Sequence, residues 1–268
     1  MKRKPAVAGL FYPYNKESLE RALENIFKNI ERKDYLLVIS PHAGYQYSGR
    51  TAAFAINSLK PSKTFILLGP NHNVMGEEFS IMSSGVWETP LGEIKIDENL
   101  ANELKECGVL KEDHLAHLQE HSIEVQLPFL QHRFGDFKFV PISITNIDYS
   151  KEFLNKCEKL GKHIAKVIKN KDIRLIASSD FSHYLQSKVA DEKDKKAIEK
   201  IKNLDPNGFF KVLEETDASI CGYGPIAVLM YVAKNLGLKK VEIINHTNSG
   251  DVTGDYSSVV SYYAIGFK

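Results

Sequence analysis

The stretch Tyr35-Leu36-Leu37-Val38-Ile39-Ser40-Pro41-His42 decides the fold. Its apolar residues run on without alternation, which reads as a strand buried on both faces, as in a parallel sheet covered by helices. A second such run, Thr64-Phe65-Ile66-Leu67-Leu68, stops at Gly69-Pro70-Asn71-His72. A third, Ile173 to Ala177, stops at Ser178-Ser179-Asp180. Helical patterns separate the strands. Residues 16–31 place Leu19, Ala22, Leu23, Ile26, Phe27 and Ile30 on one face, and residues 151–170 do the same with Phe153, Leu154, Cys157, Leu160, Ile164, Val167 and Ile168. Further helices are expected over 50–59, 98–106, 120–132 and 187–203, after Asp205-Pro206, and from Pro225 onward. Residues 78–97 read as β-rich, and Phe137 to Ile144, Val241 to Asn245 and Ser258 to Phe267 as strands. Pro141 marks the first of these as bulged or at an edge. Alternating strands and helices predict an α/β fold with a mostly parallel central sheet flanked by helices. With no linker, repeat or long charge block, residues 1–268 form a single domain in this reading.

Composition excludes several classes. Of 268 residues 43% are hydrophobic and 26% charged, which is globular rather than disordered. Lys+Arg exceeds Asp+Glu by 35 − 34 = 1, so no nucleic-acid or anionic-membrane partner is expected, and little charge opposes self-association. The three cysteines, Cys107, Cys157 and Cys221, are too few and too widely spaced for a disulfide framework. No segment approaches the roughly 18 apolar residues of a membrane span. A cytoplasmic protein is the expectation. No GxxxxGK[ST] loop and no GxGxxG after a strand occur, so no nucleotide cofactor is expected.

Polar residues with chemical potential fall where the strands stop: His42, His72, Asp180 with His183, and His246. The carboxyl ends of strands face the ligand crevice in open α/β sheets, so these residues can converge. His42 and His72 sit in turns rich in Pro and Gly, and neutral imidazole is a common metal ligand. Cys221, in Ser219-Ile220-Cys221-Gly222-Tyr223-Gly224-Pro225, precedes a helix, where a lowered pKa would suit a ligand or a nucleophile. Cys107 and Cys157 read as buried small hydrophobes. Asp180 and His183 read as an acid–base pair or as a helix cap beside an exposed ring. His121 and Glu124, at i and i+3, read as a pair on one helix face. His114, His117, His132 and His163 receive no role. Three chemistries compete: a mononuclear metal site on His42 and His72 with a third ligand, a cysteine hydrolase using Cys221, and a serine hydrolase. The last lacks a GxSxG elbow.

Taken together, Ala8-Gly9-Leu10-Phe11-Tyr12, Pro41-His42-Ala43-Gly44-Tyr45, Gly69-Pro70-Asn71-His72, Glu120-His121-Ser122-Ile123-Glu124, Ser178-Ser179-Asp180-Phe181-Ser182-His183 and Ile220-Cys221-Gly222 resemble the Memo family. The resemblance spans nearly the whole chain, in order. It implies a fold similar to the class III non-haem-iron extradiol dioxygenases of the LigB type, with one central pocket. It implies metal-site positions at His42, His72 and Cys221, with Asp180, His183 and His121 as catalytic residues around them. Tyr47 matches a substrate-side aromatic. Extradiol cleavage uses two His and one carboxylate around Fe(II). A cysteine in the third position shifts preference toward iron held by thiolate, copper or zinc, and away from ring cleavage. The implied function is redox or dioxygenase-like chemistry on a small molecule. The alternatives are a non-catalytic metal-handling or ligand- or peptide-binding module and a cysteine-dependent hydrolase.

Overall fold

The computed structural model describes residues 1–268. Its centre is a parallel sheet in which strands β2 (Leu37–Ser40), β3 (Thr64–Pro70), β8 (Lys138–Ile144) and β9 (Ile173–Ser178) are fully or almost fully buried. The sheet also holds β1 (Lys2–Arg3), β4 (Phe79–Ile81), β5 (Val86–Thr89), β6 (Gly92–Ile96), β7 (Lys111–Glu112), β10 (His183–Leu185), β11 (Val241–Asn248) and β12 (Val259–Phe267). The main order is β1-β5-β6-β8-β3-β9-β2-β12-β10, with β11 on β12 and β4 on β8. From β6 to β2 every pairing is parallel, and β12 then runs antiparallel to β2. The unbroken apolar runs thus become strands covered on both faces by helices, as the sequence leads one to expect. One hydrophobic cluster of 71 buried residues runs through the whole chain, which makes it one domain.

Four expectations need correction. Pro141 lies neither at an edge nor in a bulge: β8 is interior, with Pro141 in register with Leu67 of β3. On the opposite side of β8, β6 pairs at Lys138 and Phe139 and β4 pairs from Ile142 to Ile144. Proline therefore occupies the gap between two partner strands, where a missing donor costs least. The helix expected over 120–132 begins only at Leu127, with a 3-10 turn over Glu124–Gln126 before it, and residues 119–123 are not helical. Pro128 in the first turn marks that start. Finally, Glu124 is fully buried, so it is no surface partner of His121. The helix expected over 50–59 starts earlier, at Tyr45.

Neighbouring strands β3, β9 and β2 all end on one edge of the sheet. Their first loop residues carry His72, Asp180 and His42. The adjacency of strands far apart in sequence is what gathers the site.

Candidate metal centre

His42 follows β2 and is 2% exposed. Its backbone N–H donates to Asp180 Oδ1 at 2.8 Å, which fixes the turn. Its Nδ1 lies 2.9 Å from Ser178 Oγ. The Ser178 hydroxyl donates its one proton to Ser122 O at 2.6 Å and accepts from Gln126 Nε2 at 2.9 Å. It can therefore only accept from His42, so the imidazole carries its proton on Nδ1 and keeps a lone pair on Nε2. Gln126 is itself locked by Pro41 O and by the Ser40 hydroxyl. Burial, then the charges of His72, His121 and His183, push the His42 pKa well below its ordinary value. A neutral ring is the form that binds metal.

His72 follows β3. Glu120, in the non-helical segment, accepts from His72 N–H at 2.6 Å through Oε2 and from His72 Nδ1 at 2.9 Å through Oε1. Nδ1 is thus the donor, and Nε2 is the nitrogen left without a protein partner. Burial opposes ionisation of Glu120, but hydrogen bonds from His72 and from the Ser122 N–H, with the charges of His72 and His121, outweigh it and hold the carboxyl at about 2. A carboxylate behind a histidine fixes the ring and raises its basicity as a ligand. His121 stacks on His72 with ring centroids 4.7 Å apart and 20° between planes. Its outer face meets Phe11 at 4.7 Å.

Cys221 comes from the loop between the helices Pro206–Thr216 and Tyr223–Leu236. Gly222 N–H donates to Ser179 Oγ, and Asn146 holds the Cys221 carbonyl. Only glycine fits at 222, because a Cβ there would fall 2.5 Å from both Ser178 O and Ser179 Cβ. The thiol sulfur lies 3.2 Å from His42 Nε2 and accepts from Asp180 N–H at 3.3 Å. The expected lowering of its pKa does not appear: burial first, then the Asp180 carboxylate, pushes the thiol well up. One donor atom from each of His42, His72 and Cys221 lies within 4.8 Å of the others, and His72, Glu120 and His121 form a second such group. The first group fits a transition-metal ion. Both imidazoles have one nitrogen held from behind and the other, Nε2, open to a metal, and the third donor is a sulfur.

The structure places the remaining residues as follows. Asp180 is 4% exposed and accepts from His42 N–H, so it braces the turn and is outside both donor groups. Burial raises its carboxyl to about 6. It does not cap a helix. His183 opens the short strand β10, its N–H donating to Ser219 Oγ at 2.8 Å and its Nδ1 to Ser219 O at 2.7 Å. Its Nε2 is therefore the basic nitrogen. Tyr47 lines a groove of about 770 Å³ together with Leu10, Phe11, Arg50 and Val252. Phe11 joins that groove to the histidines. His246 is not gathered in. It lies within β11, stacked on Tyr263 at 3.9 Å. Cys107 and Cys157 are buried as expected.

A model of the Memo-like protein family matches residues 3–266. The chain belongs to the Memo-like family. Its Memo-like relatives include a MEMO1 family protein of Methanosarcina barkeri, 43% identical over 98% of both chains, and one of Thermoplasma volcanium, 44% identical over 99% of this chain and 98% of its own. A third, from Methanopyrus kandleri, is 41% identical over 100% of this chain and 99% of its own. Among solved structures, an uncharacterised Escherichia coli K12 protein shares the fold with a TM-score of 0.59, at 12% identity, over 87% of this chain and 99% of its own. No helix of the chain is long and apolar enough to cross a membrane.

Sequence reasoning missed Glu120, Ser178, Gln126 and Ser219. Glu120, Ser178 and Ser219 each hold a histidine from behind, and Gln126 holds Ser178. For Glu120 a signal existed, since Pro128 places the helix start after it and leaves the carboxylate in a loop beside His121.

Proposed function

We propose that this Memo-like protein binds one redox-active metal ion, iron or copper, through His42, His72 and Cys221, and carries out redox chemistry on a small molecule. The carrying observation is the convergence of these three side chains, with the far nitrogen of each imidazole already engaged by Ser178 or Glu120. Sulfur as third donor favours iron held by thiolate or copper over the all-oxygen preference of Mg²⁺ or Ca²⁺. When bound, such an ion supplies one-electron exchange. The residues around it do the rest. Glu120 and Ser178 keep both rings aimed. His183, with Nδ1 tied to Ser219 O, accepts and returns a proton at Nε2. His121, between His72 and Phe11, walls the centre, and Tyr47 and the groove hold the organic part of the substrate. The protein would work in the cytoplasm, where reducing conditions keep Cys221 as a thiol.

The Cys221–His42 distance of 3.2 Å also has the form of a nucleophilic dyad. The electrostatics oppose that reading. Burial pushes the thiol up and the imidazole down, so thiol and neutral ring are favoured over thiolate and imidazolium. A cation beside the sulfur reverses the balance, as metal ligation requires.

A turnover experiment separates enzyme from metal-handling module. Iron-loaded wild type and His183→Ala are screened for oxygen consumption with a panel of small aromatic and aliphatic reductants. An enzyme consumes oxygen with one of them, and the variant keeps its iron but loses at least about tenfold in rate. Full metal loading with no consumption in the wild type would leave the metal-handling role.

A further inference from the structure

We infer that Arg3 and Glu124 are positioning residues of this centre: the buried pair clamps the N-terminal segment onto the loop that carries Glu120 and His121, and so fixes the carboxylate that orients His72. The inference rests on the metal-binding reading for its consequence, but its geometry stands apart from the three ligands.

Arg3 is 1% exposed and Glu124 0%. The guanidinium spends each of its nitrogens on a different part of the wall. Nε donates to His117 O at 2.6 Å, one terminal nitrogen to Glu124 Oε2 at 2.7 Å, and the other to Glu120 O at 2.7 Å. Its face stacks on Trp87 at 4.0 Å. Glu124 in turn collects Ala6 N–H at 2.8 Å, Val7 N–H at 3.0 Å and the Tyr12 hydroxyl at 2.6 Å. Stability alone does not explain such a pair, because a well-packed hydrophobic pair of the same volume is often as stable or more so. What only the ion pair provides is a set of directed bonds to backbone groups of two separate segments.

Those segments need it. The helix Leu115–Leu118 ends before Glu120 and the 3-10 turn starts only at Glu124, so no secondary structure fixes residues 119–123. Glu120 is gripped at both ends: Arg3 holds its carbonyl, while its carboxylate holds His72 through N–H and Nδ1. The same clamp seats the Gly9–Tyr12 turn, whose Phe11 ring backs His121. Arg3 therefore reaches the ligand His72 through one intervening residue.

The test is anaerobic Co(II) titration, read by absorption, on wild type, Arg3→Lys, Arg3→Met and Tyr12→Phe, below their unfolding temperatures. Leu213→Ala, a core truncation in the helix Pro206–Thr216, serves as a variant destabilised away from the loop. Arg3→Met should weaken Co(II) binding about tenfold, the scale of lost outer-shell support. The thiolate-to-cobalt band from Cys221 should persist. Arg3→Lys keeps the charge but not the fork and should recover only part of the affinity. Tyr12→Phe removes one bond to Glu124 and should fall in the same direction by a smaller factor, which keeps the test alive if Arg3→Met does not fold. Leu213→Ala should lose stability at unchanged affinity. Equal affinity in Tyr12→Phe and in either folded Arg3 variant would overturn the inference and leave a merely structural clamp. If the wild type binds no Co(II), the metal reading fails, and the clamp is then judged on the metal-free proteins by NMR. The His72 ring resonances should be sharp in the wild type and shifted or exchange-broadened in Tyr12→Phe and Arg3→Lys; unchanged lines would overturn it.

Discussion

Replacing Glu120 with Gln should destabilise the metal-free protein by an amount that depends on pH. The wild-type carboxyl is 2% exposed and ionises at about 2 instead of the ordinary 4.5. A depressed acid stabilises the native state above its unfolded pKa, and that stability is lost as pH falls through the folded value. The difference of 2.5 units corresponds to about 3 kcal/mol at pH 7, falling to about 1 kcal/mol at pH 3. Gln cannot reproduce the arrangement. Oε1 accepts from His72 Nδ1 and Ser122 N–H, and Oε2 from His72 N–H, so an amide NH₂ at either position meets a donor. Urea unfolding of both proteins with chelator present, at pH 7 and pH 3, measures the difference directly. Wild type should lead by about 3 kcal/mol at pH 7 and by about 2 kcal/mol less at pH 3. An equal gap at the two pH values, or no gap at pH 7, would refute the claim that charge on Glu120 holds His72.

Two further outcomes follow from local geometry. Gly222→Ala forces a Cβ to within 2.5 Å of Ser178 O and Ser179 Cβ. It should cost about 1–3 kcal/mol, lowering the melting temperature by roughly 3–10 °C, and should also weaken metal binding because Cys221 is the preceding residue; a melting curve and a Co(II) titration check both. Asp194, 0% exposed and accepting from Ser182 N–H and Oγ, has its carboxyl raised by burial to about 6 from 3.8. A raised acid binds its proton more tightly when folded, so its ionisation removes stability as pH rises from about 4 to about 6. Asp194→Asn should gain about 2 kcal/mol relative to wild type between pH 4 and pH 7 in urea unfolding, and parallel curves would contradict this.

The sheet was readable because its central strands are buried on both faces, and that burial shows as runs such as Leu37 to Ile39 and Phe65 to Leu68 with no alternation. Two of the three ligand candidates, His42 and His72, were readable for a related reason: they follow where those runs stop. His246 shows the limit of that rule. It sits inside an edge strand on the face turned toward the helix Ser187–Lys202, while its neighbour Thr247 faces the groove. The second ring of residues was hidden for a physical reason. Glu120, Ser178, Gln126 and Ser219 act through hydrogen bonds between residues 36 to 136 positions apart, and no spacing records such bonds. Arg3 and Glu124 were hidden differently, since nothing in the sequence marks a charged pair 121 residues apart as buried together. The missing pKa depression of Cys221 belongs here too: a position ahead of a helix is visible in sequence, whereas the desolvation that overrides it is not.

The most direct test of the metal centre is anaerobic titration with Fe(II) and with Cu(I), combined with elemental analysis, on wild type and Cys221→Ser. The account predicts close to one ion per chain in the wild type, with binding lost or weakened at least about tenfold in the variant, because serine replaces a soft sulfur donor with a poor oxygen one. Unchanged affinity in Cys221→Ser, or no binding of either ion by the wild type, would contradict it.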